Sequence, residues 1–194
     1  MFSLFTTTPP AFRDDVCVDG PTVRLRPLSV ADADAMFAYA SDPEVTRFLP
    51  WQPAPDAVSV RPFLHDQVNR RKRCESLGFA IVLRESGEMI GSTDLMDLRA
   101  VRGQAELGYL IAQSYWGRGL MTEAAAMSRD YAFGAMNLQN LIAFADADNV
   151  GSRRVLEKLG MRHVSSETRT VKGEERPYVR YEITRADWEE RAKI

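Results

Sequence analysis

The sequence predicts an α+β fold, a mixed but mostly antiparallel sheet flanked by helices, and three observations carry that prediction. Large apolar residues recur at every second position in short runs, among them Val23–Leu25, Phe79–Leu83 and Gln104–Ile111, the period of a strand that presents one face to a core. Between and after these runs, apolar residues recur at helical spacing. Finally, 194 residues with 45% hydrophobic and 27% charged side chains suit one domain with a sizeable core. They exclude a disordered tail, a collagen and a disulfide-stapled mini-protein.

The elements follow in order. Residues 1–21 read as a short, weakly ordered lead-in and 22–194 as a single domain. In Thr22–Leu28, Val23 and Leu25 alternate with Arg24 and Arg26, and Pro27 marks an edge strand or a strand end. Ser29 stands as N-cap before a helix over Val30–Ala40, with Asp32 near its start. Asp42-Pro43-Glu44 opens a second, short helix with proline at its first position, leading into the aromatic loop Phe48-Leu49-Pro50-Trp51. From Asp56 to Ser76, Val60, Phe63, Leu64 and Val68 keep helical spacing, and Pro62 limits where that helix begins. The cations Arg70-Arg71-Lys72-Arg73 read as its solvated end, complementing the helix dipole.

Strands follow over Gly78–Arg84, Met89–Leu98 and Gln104–Ile111, with Glu85-Ser86-Gly87-Glu88 as a hairpin turn. A helix runs from the Trp116–Leu120 stretch through Phe133, with Gly134 as its C-terminal glycine. Leu141–Ala145 is a short strand, and Asn149 opens a helix that Gly160 ends. Arg162–Thr170 and Tyr178–Thr184 form a closing strand pair before a short helix from Arg185.

Composition narrows the function classes. Lys+Arg 25 against Asp+Glu 27 leaves a net charge of −2, so the chain is not built to bind nucleic acid or anionic lipid by bulk charge. Cys17 and Cys74 are far apart without a CxxC partner, and read as reduced thiols of a cytosolic protein. His65 and His163 belong to no zinc-ligand pattern, so no metal is expected. No apolar run approaches the ~18–20 residues of a membrane span, and Met1–Phe5 lacks the basic start of a signal peptide. The expectation is a cytoplasmic protein with no nucleic-acid, membrane or metal partner.

Chemistry concentrates in three places. Gly117-Arg118-Gly119 joins a strand to a helix. There glycine admits close approach of an anion to the backbone, the helix start offers free N–H groups, and Arg118 adds a cation. The plain alternative is a tight turn with no ligand. Thr122 stands where a dinucleotide fingerprint needs its third glycine, and no G-K-[ST] follows. A pyrophosphate remains the attractive ligand. Asn149 starts a helix directly after a strand, as an ordinary cap or as a polar amide in a sheet opening. Glu106 lies in an apolar strand; a strand carboxylate usually faces water, yet a partly desolvated one serves as a base near pH 7.

Gly117–Ala124 and the run from Asn149 to Met161, Asn-Val-Gly-Ser-Arg-Arg-Val-Leu-Glu-Lys-Leu-Gly-Met, closely resemble the GNAT superfamily. The branch is that of the RimJ/RimL-type ribosomal-protein N-acetyltransferases. Val23–Leu28, Ile90-Gly91 and Glu106–Tyr109 fall where that branch has matching segments, so the resemblance runs from about Thr22 to Trp188. It implies an acetyl-CoA-dependent N-acetyltransferase whose sheet splays after the strand ending near Ile111. Pantetheine would lie in the opening, paired with backbone of Tyr109, Leu110 and Ile111. The pyrophosphate would rest on N–H groups of Gly117, Arg118, Gly119, Leu120, Met121 and Thr122. Asn149 matches the position that meets the pantetheine arm, and Arg153 either reaches the phosphates or is an exposed helix cation.

For such a transfer Glu106, acting directly or through water, is the candidate base. Where many relatives carry a proton-donating tyrosine this chain has Leu156, and the Ser152 hydroxyl is the alternative donor. Trp116 and Met121 depart from the polar and small residues of the broader loop pattern. Phe48 and Trp51, with Tyr109, are candidates to line the acceptor side, and Asp94 and Asp97 to receive a cationic amine. The acceptor would be a protein N-terminal α-amine or a small-molecule amine. A non-catalytic acyl-CoA sensor is the competing reading, favoured by Leu156. A homodimer through the closing strands is compatible with the sequence.

Overall fold

Eight strands form one sheet in the computed structural model, which describes residues 10–99, 103–191 and 193. In chain order they are β1 (Val18–Asp19), β2 (Val23–Pro27), β3 (Leu77–Leu83), β4 (Met89–Arg99), β5 (Gln104–Ile111), β6 (Asn140–Asp146), β7 (Arg162–Val171) and β8 (Glu174–Thr184). In space they run β1-β2-β3-β4-β5-β6-β8-β7. Every neighbouring pair is antiparallel except β5 and β6, which run parallel. The helices are α1 (Ala33–Ala40), α2 (Pro43–Thr46), α3 (Ala57–Lys72), α4 (Leu120–Gly134), α5 (Val150–Lys158) and α6 (Arg185–Arg191). The expected α+β class with helices on a mostly antiparallel sheet is what the chain adopts.

Strand alternation sends side chains to two separate cores. Phe79 and Ile81 of β3 and Leu107 of β5 pack with Ala124, Phe133 and Leu156 beneath α4 and α5. On the other face, Leu28, Ala80 and Met89 pack with Met36, Tyr39 and Leu64 of α1 and α3. The sheet therefore separates an α4/α5 side from an α1/α3 side, and a strand residue's parity decides which it meets.

Several local expectations are corrected. The first nine residues of the lead-in lie outside the described residues, while Val18–Asp19 within it adds an edge strand against Arg24 and Leu25. Pro62 does not delay α3, which begins at Ala57 with Asp56 Oδ1 accepting from Ser59 N at 2.7 Å. The carbonyl that Pro62 leaves without its donor belongs to Val58, an exposed residue that water reaches. Arg71 is not solvated: it is buried, donating to the Leu28 carbonyl at 2.7 Å and to Asp14 at 2.5 Å. Gly134 remains helical, and the left-handed residue after α4 is Asn137, at φ 55°.

One tie bears directly on the site. Glu123, in the first turn of α4, accepts from the backbone N–H groups of Thr22 and Val23 at 2.7 and 2.9 Å. It thereby fixes the start of β2 against the start of α4. Glu123→Ala leaves two backbone donors without that partner and is expected to cost about 1–3 kcal/mol, read as a lowered midpoint in urea unfolding. An unchanged midpoint shows the tie to be replaceable by water.

Candidate active site

The parallel pairing of β5 with β6 lasts for three residues, Gln104–Glu106 against Asn140–Ile142. Beyond them β5 stays on β4 as far as Ile111, and β6 stays on β8 as far as Asp146. The two strands therefore diverge, as expected from the resemblance, and the sheet opens between them. The Ala112 N–H donates to the Ile90 carbonyl at 2.8 Å. Antiparallel alternation then directs the backbone groups of Leu110 and Gly108 toward β4, and those of Tyr109 and Ile111 into the opening. Trp116 Nε1 donates to the Ile111 carbonyl there, at 3.0 Å. Of the three residues expected to pair with a bound arm, Tyr109 presents free edge groups, Ile111 its N–H alone because Trp116 takes its carbonyl, and Leu110 none.

The opening leads into a cleft of about 1570 Å³. At one end is the start of α4. Gly117 and Gly119 hold φ of 75° and 81°, which glycine alone adopts without strain, and no side chain caps the helix. Gly117, Gly119, Met121 and Thr122 line the cleft, whereas Leu120 is buried in the core and the Arg118 guanidinium lies 5.2 Å from the Tyr115 ring centre. Uncapped N–H groups and a positive helix end are what an anion would meet there.

On the α4/α5 side, Asn149 Oδ1 accepts from Ser152 N at 3.0 Å, so its oxygen caps α5 and its Nδ2 is uncommitted among the described residues. The Tyr109 hydroxyl donates to the Ser152 carbonyl at 3.0 Å and lies 3.1 Å from Ser152 Oγ. Burial pushes the Tyr109 phenol above its ordinary range, against the opposing effect of the Ser152 hydrogen bond, so it keeps its proton at neutral pH. Glu106 is three residues from Tyr109 and therefore projects from the opposite face of β5, toward α1 and α3. Burial pushes its carboxyl upward; Arg169 acts in the opposite sense, and Asp97 and Glu167 add to the rise.

The β7–β8 hairpin roofs the α1/α3 side. Lys172 Nζ donates to the Thr46 carbonyl at 2.9 Å and the Tyr178 hydroxyl to the Phe48 carbonyl at 3.1 Å. The Arg169 guanidinium lies 3.7 Å from the Phe144 ring centre, on the same wall. Asp146, buried at the end of β6, pairs with Arg176 and accepts from Asp148 N at 2.9 Å, holding the turn that leads into α5.

An acetyltransferase (GNAT) domain model matches residues 22–162. The chain belongs to the GNAT acetyltransferase family. It is 30% identical to an uncharacterized N-acetyltransferase, p20, of Bacillus licheniformis, over 70% of this chain and 76% of the relative. It is 29% identical to a spermidine N(1)-acetyltransferase of Escherichia coli K12, over 72% of each chain. Among solved structures, Mycobacterium smegmatis RimJ in complex with CoA-disulfide superposes with a TM-score of 0.77 at 26% identity. That match covers 89% of this chain and 88% of the other. Membership makes the protein an N-acetyltransferase, and GNAT enzymes use acetyl-CoA.

Most of the residues singled out in the sequence gather in this GNAT cleft. Glu106, Ser152, Asn149, Phe48 and Trp51 all line it, as does Asp94. Asp97 is instead exposed, at φ 48°, and 3.6 Å from Arg70. Arg153 turns away, donating to the Ala147 carbonyl at 3.1 Å and to the Tyr181 hydroxyl at 3.4 Å. Its neighbours Arg154 and Lys158, one helical turn apart, face the cleft in its place. Sequence reasoning also passed over Arg169, Tyr178 and the Tyr109 hydroxyl. The last had a signal, since its odd separation from Glu106 puts the two on opposite strand faces.

Gly119→Ala tests the start of α4 as a place for an anion. Nothing lies within 4 Å of the added methyl group, so its effect comes from the left-handed backbone, about 1–2 kcal/mol. The expected outcome is CoA affinity weakened about tenfold in titration calorimetry. Unchanged affinity would remove the start of α4 from the binding site.

Proposed function

We propose that the protein transfers the acetyl group of acetyl-CoA to a primary amine by direct attack within a ternary complex. One observation carries this reading: a half-buried carboxyl and a hydroxyl pair flank the same opening from opposite faces of the sheet. The donor's chemistry is that of a thioester, whose carbonyl carbon accepts a neutral amine. Every other requirement falls on the protein.

An α-amine with a pKa of about 7.7–8.0 is partly neutral at pH 7, whereas a lysine-like amine near 10.4 is almost wholly protonated. The amine therefore needs a base on the side from which it approaches. Glu106 meets that need, because burial raises its proton affinity toward the working pH. The open N–H groups of Tyr109 and Ile111 suit the carbonyl oxygen of the thioester, where fixed donors act without reorganisation. On the far face, Ser152 Oγ is the proton source for the departing sulfur, and the Tyr109 hydroxyl holds it in position. These two hydroxyls answer the objection raised by Leu156, which is buried and cannot donate a proton. A non-catalytic sensor would have no use for a carboxyl and a hydroxyl pair set on opposite faces.

The uncapped start of α4, with Arg154 and Lys158, suits the anionic end of CoA. The α1/α3 side, roofed by the β7–β8 hairpin and lined by Phe48 and Trp51, is left for the acceptor. The acceptor is a small amine or a protein N-terminus; the spermidine N(1)-acetyltransferase among the similar proteins stands on the small-amine side of that choice.

Glu106→Gln is expected to lower turnover by about 10²–10⁴ while CoA still stabilises the protein against heat. In the native enzyme, turnover should fall as pH drops through the raised Glu106 pKa, because the base becomes protonated; the variant should lack that acidic limb. An unchanged pH–rate profile would remove Glu106 as the base. Ser152→Ala is expected to lose about tenfold or more in turnover, measured as CoA release; native turnover would make the serine a helix-start residue only.

A further inference from the structure

We infer that Asp94 binds a second cationic nitrogen of the acceptor, which makes the substrate a short-chain diamine. This deepens the acetyl-transfer reading and rests on it. In the β4–β5 ladder Met96 stands opposite Glu106, and Asp94 stands opposite Gly108. Asp94 and Glu106 are thus diagonal neighbours on one face of the sheet, roughly 7–8 Å apart. Gly108 places no side chain between them. The space is taken by Met96, whose Cε lies 2.7 Å from where a Cβ on Gly108 would stand. That flexible thioether can move aside for an aliphatic chain.

Both carboxyls line the cleft, on the side the hairpin roofs. Gln67 Nε2, from α3, donates to Asp94 Oδ2 at 2.6 Å. Asp94 Oδ1 is buried and has no hydrogen-bond partner among the described residues. An orphaned carboxylate oxygen is costly in a protein interior; in the wall of a substrate cleft, its missing donor arrives with the substrate. The charged groups around Asp94 are Asp66 and Arg70 on α3, Asp97 farther along β4, and Glu106 on β5. Arg70 lies 3.6 Å from Asp97, so the one cation of this group already has a carboxylate beside it. Burial pushes the Asp94 carboxyl up to about 7, the state of a carboxyl still lacking its counter-ion. An ammonium at Oδ1 would both donate the absent hydrogen bond and restore the ionised form.

The transfer step is the ordinary one: the ammonium nearer Glu106 loses one proton to that carboxylate, and the neutral amine bonds the acyl carbon. The adduct's nitrogen loses its second proton to water, the carbon–sulfur bond breaks, and the sulfur takes a proton from Ser152 Oγ, which water reprotonates. The second nitrogen stays charged against Asp94 throughout. Its task is to place the chain, so removing it should raise KM more than it lowers kcat.

The test compares putrescine with n-butylamine, which has the same carbon chain and one ammonium fewer, and with a short peptide bearing a free N-terminus. With the full chain and acetyl-CoA, kcat/KM for putrescine should exceed that for n-butylamine by at least about tenfold. Asp94→Asn should bring that ratio close to one, through a raised KM for putrescine, with CoA-induced thermal stabilisation as the check on folding. Equal rates for the two amines in the native enzyme would overturn the inference, with no variant needed. So would a variant that slows both amines alike, or a native preference for the peptide that Asp94→Asn leaves intact. Absence of turnover with every acceptor would count against acetyl transfer itself. Calorimetry of the two amines on the CoA-bound protein still decides the role of Asp94 in that event: tighter binding of putrescine, lost in Asp94→Asn, supports it, and equal binding overturns it.

Discussion

The separation of β5 from β6 after three paired residues is the constraint on which the rest depends. Each strand is held elsewhere: β5 is bound to β4 through Ile111, and β6 is bound along its length to β8. Neither can bend to meet the other without giving up an established ladder. The result is a strand edge inside the molecule, with the backbone groups of Tyr109 and the N–H of Ile111 turned toward a cavity rather than a partner. Backbone donors in such a position seek water or a ligand. A ligand with amide groups along its length would restore the ladder that the fold forgoes.

The other parts of the site follow from that geometry. The chain leaving β5 turns through a single 3-10 turn, Gln113–Tyr115, and two left-handed glycines before α4 begins, so the helix starts at the mouth of the gap. The chain leaving β6 enters α5 directly, with Asn149 as its cap. Both helices therefore bring their N-termini to one opening, and both lie on the same side of the sheet. The remaining side is closed by α1, α3 and the β7–β8 hairpin, whose tip reaches across to Thr46 and Phe48.

Much of this was legible in the sequence, and the reasons differ by element. Strand and helix periods located the main elements, because each buries one face and shows it. Gly117, Gly119 and Asn149 were legible because turn and cap chemistry is local. The rotation of α5 was not: Arg153 and Arg154 are adjacent cations, and only the position of Tyr181 on β8, far along the chain, turns the first toward the core rim and the second into the cleft. Arg71 was misread for the same reason, since its partners, Asp14 and the Leu28 carbonyl, come from segments distant in sequence. The sheet order beyond β6, where β8 precedes β7, is likewise a non-local choice. The splaying of the sheet was reached through family resemblance, because no periodicity encodes where two strands part.

The charge of the chain acquires a spatial meaning in this arrangement. A net charge of −2 gives no bulk attraction for an anionic ligand or a cationic one. The cleft nonetheless has two unlike regions. On the α4/α5 side, uncapped N–H groups, Arg154 and Lys158 suit an anion, all at the surface where cations are inexpensive to maintain. On the α1/α3 side, Glu106 and Asp94 are carboxyls whose proton affinity burial has raised. Leaving carboxyls partly desolvated is a cost to the folded state, and the nearby cations, Arg169 for Glu106 and Arg70 for Asp94, offset it only in part. A fold selected for stability alone would fill those positions with apolar residues. Their retention in the wall of one cleft, on the face opposite the Tyr109–Ser152 hydroxyls, fits a reaction in which protons leave a cationic substrate on one side of the sheet and are supplied to a departing group on the other.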